Sequence, residues 1–114
     1  MIIGKIKEGV DYQNIDIDLK GIKTKKELLN KVAKELNFPA IGENSWDAFC
    51  DWFGVLYESF NTYNAIKITF KNCGDLEENV KKMFIIILKN PEYEYFVCDD
   101  ISNKHVPCYY EILD

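Results

Sequence analysis

Arginine is absent from this chain: all fourteen basic residues are lysine, set against nineteen carboxylates for a formal net charge of -5. Planar, bidentate recognition of phosphate favours arginine, and an acidic chain is repelled by a polyanion, so direct nucleic-acid binding is not expected. A basic partner is favoured instead, although net negative charge also serves solubility. Histidine is nearly absent: His105 stands alone, which excludes catalysis by a histidine pair. The four cysteines, Cys50, Cys73, Cys98 and Cys108, are widely spaced with no CxxC pair, which argues against zinc. No apolar run approaches the roughly 18 residues of a membrane span, so no membrane association is expected. The N-terminal segment MIIGKIKEGVDYQ carries Lys5, Lys7 and Glu8 where a secretory signal would be apolar, so a cytoplasmic location with reduced, buried thiols is expected.

What the chain does contain is the material of a folded core. Hydrophobic residues make up 47% and aromatic residues 14% of the 114 positions, far from the composition of disorder, and one domain over residues 1–114 is expected. Residues 12–19, YQNIDIDL, alternate apolar and polar side chains as a half-buried strand does. Thr24 and Glu27 then form a capping box ahead of Leu28, Leu29, Val32, Ala33 and Leu36 at helical spacing, and Phe38-Pro39 is expected to stop that helix.

Asn44 or Ser45 can cap a second helix that starts at Trp46 and is expected to run to about Tyr57 or Phe60. AIKITF at 65–70 reads as the second strand. Asp75 is placed to cap a third helix through Leu76, Val80, Met83, Phe84 and Ile87, whose apolar end, Met83 to Leu88, suggests burial on two sides. EYEYFVC then supplies a third strand, and HVPCYYEIL an edge strand that Pro107 would keep away from the sheet centre. The expected fold is α/β: a small parallel or mixed three-stranded sheet packed with helices.

The second helix carries the candidate site. At 100° per residue, Trp46, Phe49, Phe53, Leu56 and Tyr57 share a core face, while Asp47, Asp51, Gly54 and Glu58 fall on an adjoining stripe of about 60°. The two aspartates repel each other one turn apart, and no lysine occurs between Lys34 and Lys67 to neutralise them locally. A cationic partner would relieve that repulsion. Ordinary structural roles compete: Asp47 suits the positive end of the helix dipole, Asp51 suits solvent, and Trp52 on the flank suits either packing or contact.

The segment FPAIGENSWDAFCDWFGVL resembles the helix-two region of the barstar family, intracellular inhibitors of barnase-like ribonucleases, with its G-x-N-W-D-A-L-x-D-x-L motif. Gly42 and Asn44 match, Ser45 reads as a one-residue insertion, and Trp46, Asp47, Ala48, Phe49, Asp51 and Phe53 follow in register. The resemblance spans roughly residues 13–99, leaving short extensions at both ends. It implies a barstar-like fold and an inhibitor or immunity protein with no enzymatic activity and no cofactor. In the family, an acidic helix and the loop before it plug the active site of a basic ribonuclease. By that likeness Asp51 would be the principal carboxylate, Asp47 the supporting one, and Ile41, Gly42 and Asn44 part of the docking loop, with Cys50, Gly54 and Glu58 alongside. Ile41 and Cys50 stand where barstar has aromatic contacts, and Ile86 where it has a further acid; these departures point to a different target.

The sequence also offers material for two other function classes. A magnesium site built from Asp47, Asp51, Asp99 and Asp100 would suit a hard cation, but such pairs of carboxylates arise readily by chance. Cys50 beside the acidic stripe would have a suppressed, not an activated, thiol. A homo-oligomeric assembly module would use Met83 to Leu88 and the Tyr109-Tyr110 pair as an apolar surface, against which burial is the preferred expectation.

Overall fold

The computed structural model describes residues 1–38, 45–54, 65–89, 95–99 and 104–114, and side chains at 1–38, 45–50, 65–89 and 108–114. Among the described residues five strands and three α-helices follow one another: β1 (Ile2–Ile3), β2 (Tyr12–Asp18), α1 (Lys25–Glu35), α2 (Trp46–Gly54), β3 (Ala65–Lys71), α3 (Glu78–Leu88), β4 (Tyr95–Asp99) and β5 (Lys104–Ile112). The alternation in YQNIDID produces β2, which lies parallel to β3 with Ile15 opposite Ile68 and Ile17 opposite Phe70. β3 in turn lies parallel to β5, and the short β1 pairs antiparallel with the far side of β5, giving the order β1-β5-β3-β2.

The class is α/β as expected, with a mixed sheet larger than three strands. The difference lies at the C-terminus. EYEYFVC, expected as the third sheet strand, yields β4, which among the described residues pairs antiparallel with the first part of β5, Tyr95 facing Pro107. The stretch expected at the edge is central: Cys108 to Ile112 lie between β3 and β1. Pro107 does not prevent this because the parallel register starts one residue later, at Cys108 opposite Ile66. Tyr109 and Tyr110 are consequently buried, which removes them as an oligomer surface.

One face of the sheet carries the core. Ile17, Ile66, Ile68, Phe70, Cys108, Tyr110 and Ile112 pack against Leu28, Leu29, Val32 and Leu36 of α1, Phe49 of α2, and Val80, Phe84 and Leu88 of α3. Phe70 is the hub, edge-on to Phe84 with ring centroids 4.9 Å apart and stacked on Tyr110 at 6.4 Å. The opposite face is polar and aromatic: Tyr12 meets Tyr109 edge-on at 4.8 Å, and Lys67–Glu111 and Lys71–Asp16 ion pairs cross the strands. Gly4 turns the chain over Tyr109 at φ +100, where an added Cβ would lie 3.2 Å from the tyrosine Cβ.

Both ends of α1 have identifiable causes. Thr24 and Glu27 form the expected capping box. α1 stops at Glu35, four residues before Pro39, through a Schellman motif: Asn37 takes the left-handed conformation at φ 56, and the Phe38 N–H donates to the Ala33 carbonyl at 2.8 Å. The third helix begins later than expected. Cys73–Asp75 form a 3-10 turn, Leu76 is extended and buried, and the Asp75 carboxylate accepts from the Gly21 N–H at 2.9 Å, clamping a distant turn instead of capping α3. At its end α3 is buried on one side only: Phe84, Ile87 and Leu88 face the core while Met83 and Ile86 are exposed, because a single layer of sheet is available to it.

Candidate functional site

The orientation of α2 follows from two aromatic residues and a cap. The Ser45 hydroxyl accepts the Ala48 N–H at 3.3 Å and the Ser45 carbonyl accepts the Phe49 N–H at 3.2 Å, so Ser45, one of the two caps expected, starts the helix. Phe49 is fully buried, 6.1 Å from the Phe84 ring, and Trp46 stands edge-on to it at 6.0 Å, half-buried against the core. Once Trp46 and Phe49 point inward, helical geometry turns Asp47 outward, where it is exposed.

Asp47 makes no ion pair among the described residues, and the last turn of α2 contains no basic residue. Its negative charge is instead balanced in part by the positive end of its own helix. Cys50 is partly buried against the core, so it offers a partner only part of its surface. Asp51 and Gly54 fall within the helical span one and two turns beyond Asp47, and their surroundings lie outside the described side chains. Ile41, Gly42, Asn44 and Glu58 lie outside the described residues, as does the continuation of α2 toward Tyr57. Trp52 lies in the helix with its side chain outside the described set.

The cysteines offer no nucleophile among the groups that burial perturbs. Desolvation pushes the Cys73 thiol up to about 11, and the Cys108 thiol up to about 12, so both stay protonated at neutral pH. Among the described residues no group of three or more His, Cys, Asp or Glu side chains could hold a metal ion. No helix of the described residues is long and apolar enough to cross a membrane.

A feature that sequence reasoning missed lies beside α2. Trp46 reaches the starts of α1 and α3, and the three elements enclose an open groove of about 420 Å³. Its walls are joined by the Glu77 N–H, which donates to the Lys23 carbonyl at 2.9 Å. No local pattern in the sequence signals such a groove, because its lining comes from residues 24–26, 46 and 77–83, which meet only in the folded chain.

The acidic helix therefore sits on a framework, β-α-α-β-α among the described residues, whose sequence matches a family model, Barstar (barnase inhibitor), over residues 12–92. The chain belongs to the barstar family. No curated protein and no solved structure matches it. The barstar match runs from the first residue of β2 past the end of α3, so it contains the whole of α2 and the loop before it. β1, β4 and β5 lie outside the match, although β5 occupies the middle of the sheet.

Proposed function

We propose that this barstar-family chain is a non-enzymatic inhibitor of a basic nuclease, blocking its active site with α2 and the preceding loop. The observation that carries the reading is the state of Asp47: exposed, without a counter-ion among the described residues, on a helix locked in orientation by Phe49. A carboxylate presented this way matches a site built to bind phosphate, and complementary charge would raise the rate of association. Asp51 is the principal contact on this reading, Asp47 supports it, and Ile41, Gly42, Asn44, Cys50, Gly54 and Glu58 complete the surface. The protein acts as one domain over residues 1–114, in the cytoplasm, as an immunity protein against a nuclease toxin, binding neither nucleic acid nor membrane.

Calorimetric titration into a barnase-like ribonuclease, with RNA cleavage followed in the same samples, tests this. The unaltered protein should bind and block cleavage. Asp51→Ala should lose at least about thirtyfold in affinity while its stability changes by less than about 0.5 kcal/mol. Comparable losses of affinity and stability would assign Asp51 a structural role.

A second reading, an assembly module, draws on Met83 and Ile86, which stand 41% and 63% exposed one turn apart on α3. A mass on a sizing column that rises with concentration would support it.

A further inference from the structure

The groove beside α2 combines three properties. Its floor is apolar, formed by the half-buried Trp46, the buried Val80 and the exposed Met83. Two lysines, Lys25 and Lys26, stand on one wall against Glu77 on the other, and none of the three makes an ion pair among the described residues. Lys25 Nζ sits 5.8 Å from the centre of the Trp46 ring, so one cation is already poised over the floor. The walls are fixed before any ligand arrives, by the capping box of α1 and by the Glu77-to-Lys23 hydrogen bond that ties α3 to the turn before α1.

We propose that this groove is a second anchoring point for the protein partner of α2, seating an apolar side chain of that partner flanked by a carboxylate. The inference rests on the inhibitor reading and adds the chemistry of the partner's surface beside its basic site. Continuity argues for the same partner: Trp46 lines the groove and Asp47 is the next residue, so a protein covering the first turn of α2 also covers the mouth of the groove. Charge argues for the occupant: two lysines against one glutamate make this a cationic spot in a chain of net charge -5, and they complement an acidic neighbour. An apolar floor of this kind gains from a side chain that displaces its water, which is how buried anchors dominate protein interfaces.

The partner surface recognised is then bipolar, basic where α2 docks and acidic with an apolar knob beside it. Such a surface would separate this inhibitor's cognate enzyme from a nuclease that merely carries a basic active site.

The test is titration of a barnase-like ribonuclease and of nuclease toxins from the same source into the unaltered protein, Lys26→Glu, Met83→Glu and Asp51→Ala. Thermal melts and sizing are run on each. Lys26 and Met83 are both exposed, so the folds and melting temperatures should be preserved. Each groove variant should weaken binding about tenfold, Lys26→Glu mainly through slower association that salt reduces, and Asp51→Ala should weaken it further. Groove variants that bind as tightly as the unaltered protein, while Asp51→Ala does not, overturn the groove and leave the inhibitor reading standing. Failure of the unaltered protein to bind any of these nucleases overturns both. A dimer that Met83→Glu dissolves without changing nuclease affinity assigns the groove to self-association and overturns the proposal.

Discussion

α1 and α2 are of similar length and pack on the same face of the sheet, yet their termini are built differently. α1 satisfies its own needs: a reciprocal capping box opens it, a Schellman turn closes it, and a Lys31–Glu35 pair spans one turn at 3.0 Å. α2 has a single serine hydroxyl at its start, a carboxylate in its first turn and no basic residue in its last. Both helices insert side chains into the core, Leu28, Leu29, Val32 and Leu36 from α1 and Phe49 and Trp46 from α2, but α1 adds these local contacts at both of its ends. The contrast bears on the proposed site: Asp47 has no ion-pair partner among the described residues, whereas in α1 Lys31 pairs with Glu35 and Glu27 closes the capping box.

The largest effect separates the two helices outright. Phe49→Ala should cost about 3–5 kcal/mol in urea denaturation, because it empties a fully buried site against Phe84. A loss under about 1 kcal/mol would mean that α2 does not depend on this anchor and that the contrast with α1 is false. Next, Thr24→Ala should cost about 1 kcal/mol in the same denaturation by removing the acceptor of the Glu27 N–H.

Acid titration sharpens the same point. Hydrogen bonds from the Thr24 backbone and hydroxyl, with a smaller one from Lys23, hold the Glu27 carboxyl below its ordinary 4.5. A depressed folded-state value contributes stability above the unfolded value and loses it as the pH falls through the folded one. Stability of the unaltered protein should therefore decline below about pH 4.5, and Glu27→Gln should flatten that decline. An unchanged slope in the variant would remove the carboxylate from the account. Smallest of all, Lys31→Ala should cost only about 0.3 kcal/mol, since the pair it breaks is largely solvated.

These contrasts also explain what could be read from the residues in order. β2 and α1 were legible because their signals are local: alternation in YQNIDID, and Thr24 placed three before Glu27 ahead of an apolar stripe. Asp47 was placed outward from periodicity alone, and the structure puts it there. Where sequence reasoning failed, a distant partner decided the outcome. Asp75 looked like a cap until Gly21 claimed its carboxylate. β5 looked peripheral because Pro107 cannot join a central ladder, but the ladder begins one residue beyond it, on a run whose burial depends on β3 and β1. The sequence points to Phe38-Pro39 as the stop of α1, because a left-handed asparagine at 37 leaves a fainter mark in a sequence than a proline does.

The central position of β5 bears on how the protein comes into being. A ribosome releases β2, α1, α2 and β3 well before the strand that must lie beside β3, and β1 waits longest, since Met1 and Ile112 exchange hydrogen bonds across nearly the whole chain. Until Cys108–Ile112 emerges, the nascent chain carries an open β3 edge lined by Ile66, Ile68 and Phe70, and these contacts of high sequence separation form last and slowly. The acidic helix is thus translated well before the strand that completes the sheet on which the core is built.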